Sequence, residues 1–388
     1  MPEGGARPTT NHPLDCSKPT TALFWLIVGS AVALSLLAAQ AAGDWTRLLH
    51  VGSTNPLLSE IERDLGHVIP SDAVGHDGQF NYLIARDPFG RGTTPAALSV
   101  FDSNGPRYRY RRILLPLIAG GVGRFSGAWT LTALIALTAL GIGLATVATG
   151  DLAFQWAVKN GTAFAAMANV SALIASGLLT SEPLALGLAL SGITLFLRGR
   201  HLFGAVAFAA AALTKETYAL VPIALAAWSW RNHKATPPLL CLASLMPLVL
   251  WGAWVTTRFT GSSTAGNLGI PFVGFLQAIP IWITSEHEAI EMLPAVLVLS
   301  ALTMAIAAVV LRNGLTRYLL VPWLVLALCS TLDVWGKANN PARVFAILWP
   351  LGVLSLGMRA RGGVRNRSGK DRLEVVGASG FEPLTPAV

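Results

Sequence analysis

Charge is scarce in this sequence. Only 12% of its 388 residues are charged, where a soluble domain carries about 25%. A water-facing surface needs more ionisable side chains than that, so an ordinary soluble domain is excluded. Cysteine is scarcer still. Cys16, Cys241 and Cys329 stand alone, which excludes a disulfide framework and any cysteine spacing for a metal. No internal repeat is present, so a repeat architecture is excluded as well.

What the chain has instead is apolar length. Hydrophobic residues make up 53% and gather in runs of about 16–23 residues, the length of membrane-crossing helices. Ten spans are read: 21–42, 126–148, 161–179, 182–197, 202–214, 217–230, 238–257, 292–311, 318–332 and 343–358. Tryptophans fall near the run ends (Trp25, Trp129, Trp228, Trp230, Trp251, Trp254 and Trp349) as expected of interfacial belts. The expected fold is an all-α polytopic membrane protein of about ten transmembrane helices. Residues 1–20 form a cytoplasmic N-terminal segment, 21–358 the transmembrane domain and 43–125 its large first extracytoplasmic loop. Residues 359–388 are polar and Gly-rich and read as a disordered cytoplasmic tail. The first run ends in AAQAAG, similar to a signal-peptidase site, but is long enough to span and is read as an uncleaved anchor.

The formal charge of +8 is explained by orientation. The short connections Arg198 to His201, Arg231 to Lys234 and Arg312 to Arg317 are basic, as is the stretch Arg359 to Arg372. Basic loops stay in the cytoplasm. Segments placed inside hold 15 Lys and Arg against 6 acidic residues, and the remainder hold 13 against 14. The basic excess is topology signal, and nucleic acid is not an expected partner. Two further apolar stretches, 113–123 and 269–283, are too short or too broken by proline and glycine to cross, and read as interfacial or re-entrant.

Polar residues collect on the outer side. They are Asp72 and Asp77, the run RYRYRR (Arg107, Arg109, Arg111, Arg112), Thr180-Ser181-Glu182, Thr214-Lys215-Glu216, Glu286-His287-Glu288 with Glu291, and Asp333 to Arg343. The Lys215 turn carries the most information. About 30 residues separate the cytoplasmic Arg200 and Arg231, so each arm reaches about 24 Å, short of a core of about 30 Å. Lys215 and Glu216 are therefore expected below the outer surface, where ionisable groups face a cavity or a partner. The plainer alternative is a local Lys215–Glu216 ion pair closing a tight turn. For Glu182 the alternative is a helix-capping acid beside Pro183. For the arginine run it is a helix end among lipid headgroups, set against bidentate phosphate binding. His76 and His287 are candidate metal ligands or bases, with a structural role as the alternative.

The stretch HDGQFNYLIA resembles the W-D-G-x-W/Y-Y-x-x-I-A signature of membrane glycosyltransferases of the GT-C superfamily, especially bacterial relatives of the GPI mannosyltransferases. LLTSEPLALGLALSGITLF is similar to that family's Y-T-E-S-L-F helix start, AALTKETYALVPIAL to its L-T-K-E/G segment, and NNPARVFAILWP to its late helix entered through an arginine. Two positions depart: His76 replaces the aromatic before the aspartate, and Thr180-Ser181-Glu182 lacks the tyrosine. The resemblance implies a transferase that takes sugar, with mannose the candidate, from a polyprenyl-phosphate carrier. It delivers the sugar to an extracytoplasmic lipid or glycan acceptor at the plasma membrane.

The resemblance also implies roles. Asp77 is the catalytic base or helps to bind a metal such as Mn²⁺ or Mg²⁺, for which no ligand set is spaced. Lys215, Arg107, Arg109, Arg111, Arg112 and Arg343 are the candidates for the carrier phosphate. His76, Gln79, Glu182, Glu216, Glu286 and Glu288 are candidates for orienting the acceptor. Two other readings stand beside it. One is a transporter or flippase of a lipid-linked sugar or small anion, which also wants intramembrane ion pairs and broken helices. The other is a non-catalytic assembly partner.

Overall fold

The structure, a computed structural model, describes residues 14–16, 18–54, 56–71, 75–101, 105–124, 126–232, 236–260, 267–284, 289–312, 314–336 and 339–358. Among these, the secondary structure is helical apart from three isolated bridges. The chain opens with α1 (Pro19–Ala41). The first loop then folds into α2 (Leu58–Leu65), α3 (Asp77–Arg86), α4 (Thr94–Phe101), α5 (Gly105–Arg109) and α6 (Leu114–Val122). The central helices are α7 (Gly127–Gln155), α8 (Asn160–Met167), α9 (Val170–Gly177), α10 (Glu182–Leu197), α11 (His201–Thr214) and α12 (Leu220–Arg231). The last third holds α13 (Thr236–Ala243), α14 (Met246–Arg258), α15 (Val273–Thr284), α16 (Ala289–Leu311), α17 (Leu315–Leu328), α18 (Leu332–Trp335), α19 (Asn339–Val344) and α20 (Leu348–Gly357).

Four described stretches are long and apolar enough to cross a membrane: α1, α7, Pro237–Arg258 and Leu293–Leu311. Shorter apolar helices include α10, α11, α17 and α20. Leu202 and Phe203, 64% and 65% exposed, belong to a surface far more apolar than water tolerates. The fold is that of an all-helical membrane protein.

Several expected spans are broken or displaced, each for a local reason. The run 161–179 is two helices, α8 and α9. Asn169 interrupts it, capping α9 by accepting from Ala172 N–H and donating to Ala346 O at 2.9 Å. The run 238–257 divides into α13 and α14, with Pro247 in the first turn of α14, a favoured place for proline. The run 343–358 divides into α19 and α20. Helix α7 continues to Gln155, beyond the expected end at 148. It thereby carries Asp151 inside a helix, where the carboxylate meets Arg198 and Gln155, instead of leaving it in a cytoplasmic loop.

Helix α7 packs against both α1 and α10, and α10 against α11. The α7–α10 crossing is closest at Gly141, where a Cβ would meet Leu184 N at 2.5 Å. Small residues at such crossings let backbones approach. Two apolar cores result. The larger joins α7–α12 to α16, α17, α19 and α20. The smaller ties the first loop to the bundle, with Leu37, Leu49, Phe80, Tyr110, Leu184 and Phe259 among its members. This second core fixes α3 and α5 against the helices that carry the remaining polar groups.

Candidate active site

Asp77 is the first residue of α3, where the helix dipole favours a carboxylate. Gly75 lies just before it at φ +78°, a conformation glycine adopts without strain. Gly78 follows it, and a Cβ there would sit 2.9 Å from Leu49 O and 3.0 Å from Leu178 O. The two glycines thus let the start of α3 press onto backbone from two other segments. Asn81 locks the contact by donating to Leu179 O at 2.8 Å.

Asp77 meets two arginines from distant parts of the chain. Arg109 of α5 donates to its Oδ1 at 2.7 Å, and Arg343 of α19 approaches its Oδ2 at 2.9 Å. Arg343 Nε lies 3.9 Å from Glu182 Oε1, and Lys215 closes on that same oxygen. Arg112 forks onto Glu216, with Nε and a terminal nitrogen each 3.1 Å from a carboxylate oxygen. Four cations and three carboxylates are therefore gathered from five segments, an excess of one positive charge when all are ionised.

Aromatic rings support the arginines. The Arg109 guanidinium lies 4.0 Å from the Phe80 ring centroid, and that of Arg112 lies 4.7 Å from Tyr108. The Tyr108 hydroxyl accepts from Arg112 at 2.5 Å and from Asn267 at 3.3 Å. Burial pushes the Asp77 carboxyl up, but Arg343 and Arg109, with Arg112 and Lys215 behind them, outweigh it and hold it well below the usual carboxylate range.

The sequence-stated candidates divide clearly. Asp77, Arg109, Arg112, Glu182, Lys215, Glu216 and Arg343 are brought together. Lys215 is 3% and Glu182 1% exposed, so both side chains are enclosed by neighbouring segments of the chain. The local Lys215–Glu216 pair is replaced by cross-segment pairing: Lys215 with Glu182, Glu216 with Arg112. Glu182 does begin a helix, yet its side chain turns to these cations. The arginine run is a helix end whose Arg109 and Arg112 face carboxylates, while Arg107 and Arg111 are half-buried beside them. His76 packs its ring on His50 at 5.4 Å, and Gln79, fully buried, accepts from Gly52 N–H at 3.2 Å. Asp333 is exposed. Asp72, Glu286, His287 and Glu288 lie outside the described residues, as does the stretch 359–388.

Phe80, Tyr108 and Asn267 are the participants that sequence reading missed. Phe80 sits three residues after Asp77 on the same helix, a spacing that places both on one face, and Tyr108 alternates with the arginines.

A cleft of about 720 Å³ lies where α14 meets the first loop, lined by none of the cluster's own side chains. Phe89, Leu250, Trp251 and Trp254 line it, with Arg91 and Arg258 also in its wall. Ile113, the residue after Arg112, and Leu213, two before Lys215, also line it. Trp251 donates to Tyr110 O at 2.7 Å, and Tyr110 stacks on Phe259 at 4.4 Å, tying α14 to the first loop.

Among the described residues no group of three or more His, Cys, Asp or Glu side chains is placed to hold a metal ion. The three carboxylates of the cluster each face an arginine or a lysine, a donor set that does not fit Mn²⁺ or Mg²⁺. No protein-family model, curated protein or solved structure matches the chain.

Proposed function

We propose that this protein is a membrane glycosyltransferase that moves a sugar, with mannose the candidate, from a polyprenyl-phosphate donor to an extracytoplasmic lipid or glycan acceptor. The observation that carries the reading is the Asp77 cluster: a half-buried helix-start carboxylate among Arg109, Arg112, Lys215 and Arg343, in which the cations outnumber the carboxylates. An excess cation at the edge of an apolar bundle suits a lipid phosphate. The neighbouring apolar cleft supports the same donor class, because a polyprenyl tail needs an apolar path beside its phosphate.

In the proposed reaction the acceptor hydroxyl gives its proton to Asp77. Its oxygen attacks the anomeric carbon and forms the new C–O bond. The bond from that carbon to the phosphate oxygen breaks, its electron pair leaves with the polyprenyl phosphate, and configuration inverts. Arg109 and Arg343 stabilise the leaving phosphate; an aimed donor of this kind is worth about 3–4 kcal/mol. Lys215 neutralises Glu182 within the same cluster. The topology proposed with this reading has ten crossings, several of them made by short or paired helices. Both termini are cytoplasmic, and the site lies on the extracytoplasmic face.

A transporter or flippase is the second reading, favoured by the broken helices α8–α9 and α13–α14. Proteoliposomes separate the two. Sugar transfer from a polyprenyl-phosphate donor to an acceptor supports the enzyme. Solute or lipid flux without transfer overturns it in favour of the transporter.

A further inference from the structure

A base must be free to take a proton, yet both Asp77 oxygens are engaged, one by Arg109 at 2.7 Å and the other by Arg343 at 2.9 Å. We infer that Arg109 and Arg343 form a transferable clamp: a phosphate-bearing ligand draws both guanidinium groups from Asp77, and only then is the carboxylate released to act as base. The inference rests on the glycosyl-transfer reading and adds to it a control. The acceptor is activated only when a donor is in place.

Three observations carry it. First, the arginines come from α5 and α19, separate elements far apart in the chain that both reach this carboxylate. Second, Arg343 has spare capacity. Among the described residues its buried Nε has no hydrogen-bond partner and lies 3.9 Å from Glu182, and a buried donor left unpaired is costly. Guanidinium groups match phosphate oxygens in bidentate fashion, so an anion accepts from that donor and from a terminal nitrogen together. Third, the seven paired side chains carry an excess of positive charge, with Arg107 and Arg111 beside them, which suits an anionic phosphodiester, the form a lipid-linked sugar donor takes. The charged groups that face Asp77 are Arg109 of α5, Arg112 just after it, Lys215 at the end of α11 and Arg343 of α19. Glu182 of α10 stands against Arg343, and His76 precedes Asp77 in the chain.

The test is infrared difference spectroscopy of the purified full-length chain in lipid, titrated with acid. The protonated-carboxyl band that disappears in Asp77→Asn reports this residue. With farnesyl phosphate bound, its midpoint is expected to rise by about 1–3 pH units, the reverse of the lowering that close cations impose. Farnesol should leave it unchanged. In Arg343→Gln the midpoint should already be high without ligand, and farnesyl phosphate should add little; Arg109→Gln gives the same reading if the first variant fails to fold. A midpoint that stays or falls while calorimetry shows farnesyl phosphate bound overturns the clamp, and so does failure to bind. Transfer assays on the same samples keep the two claims apart. A shift without transfer retains the clamp and removes the glycosyltransferase. Transfer without a shift does the reverse.

Discussion

Lys215 and Glu182 are buried against each other at 3% and 1% exposure. Removing one member of a buried pair leaves the other charge unpaired, at a cost of about 3–5 kcal/mol. Lys215→Ala is therefore expected to lower the unfolding midpoint in detergent sharply, and Lys215→Met combined with Glu182→Gln to recover most of the loss. An unchanged midpoint, with a raised donor KM alone, would place Lys215 on the phosphate instead. At this scale the sequence was informative about which residues matter. Depth counting on the α11–α12 turn and the HDGQF motif both pointed to groups that do converge. The pairing was hidden, because Lys215 has a sequence neighbour of opposite charge, Glu216, and only the fold brings Arg112, 104 residues away, onto that neighbour.

Helix α3 is positioned by close backbone approach. Gly78 leaves no space for a methyl group between Leu49 O, Leu48 O and Leu178 O, at 2.9, 3.1 and 3.0 Å from a Cβ. These are backbone atoms and cannot step aside. Gly78→Ala should thus cost about 1–3 kcal/mol, the usual penalty of overpacking, and should depress transfer by shifting Asp77 off its arginines. Thermal unfolding read beside activity checks both; a variant as stable and as active as wild type would show that α3 is not held this way. Existence of the elements was legible from hydropathy, since each apolar run yields helix. Their breaks were not. Asn169 falls inside the expected span 161–179, and its role as a cap tied to Ala346 O depends on the turn between α19 and α20, 177 residues further along.

Across the whole molecule, the proposed orientation rests on charge: the basic connections Arg198 to His201, Arg231 to Lys234 and Arg312 to Arg317 are assigned to the cytoplasmic side. After replacement of Cys16, Cys241 and Cys329, a cysteine at Asn232 should react with a membrane-impermeant maleimide only in inverted vesicles. A cysteine at Thr93, in the first loop, should react only in intact cells. Labelling of both from the same side would contradict the topology. Four helices have the length and apolar character to cross, while α10, α11, α12 and α20, at 16, 14, 12 and 10 residues, are shorter than the ~20 residues that a straight span needs; the proposed ten crossings require these short helices to span as well. Glu182 opens α10 and Lys215 follows α11, and both ends meet at the cluster around Asp77.

The most direct test of that cluster is a transfer assay with purified, reconstituted protein, a polyprenyl-phosphate sugar and a lipid or glycan acceptor. It compares wild type with Asp77→Asn. The account predicts that wild type releases polyprenyl phosphate and forms the glycoside. The variant, equally well inserted, should be slower by about 10²–10⁴-fold, the range of a lost general base. Full activity in Asp77→Asn, or no transfer by wild type from any polyprenyl-phosphate sugar, would contradict it.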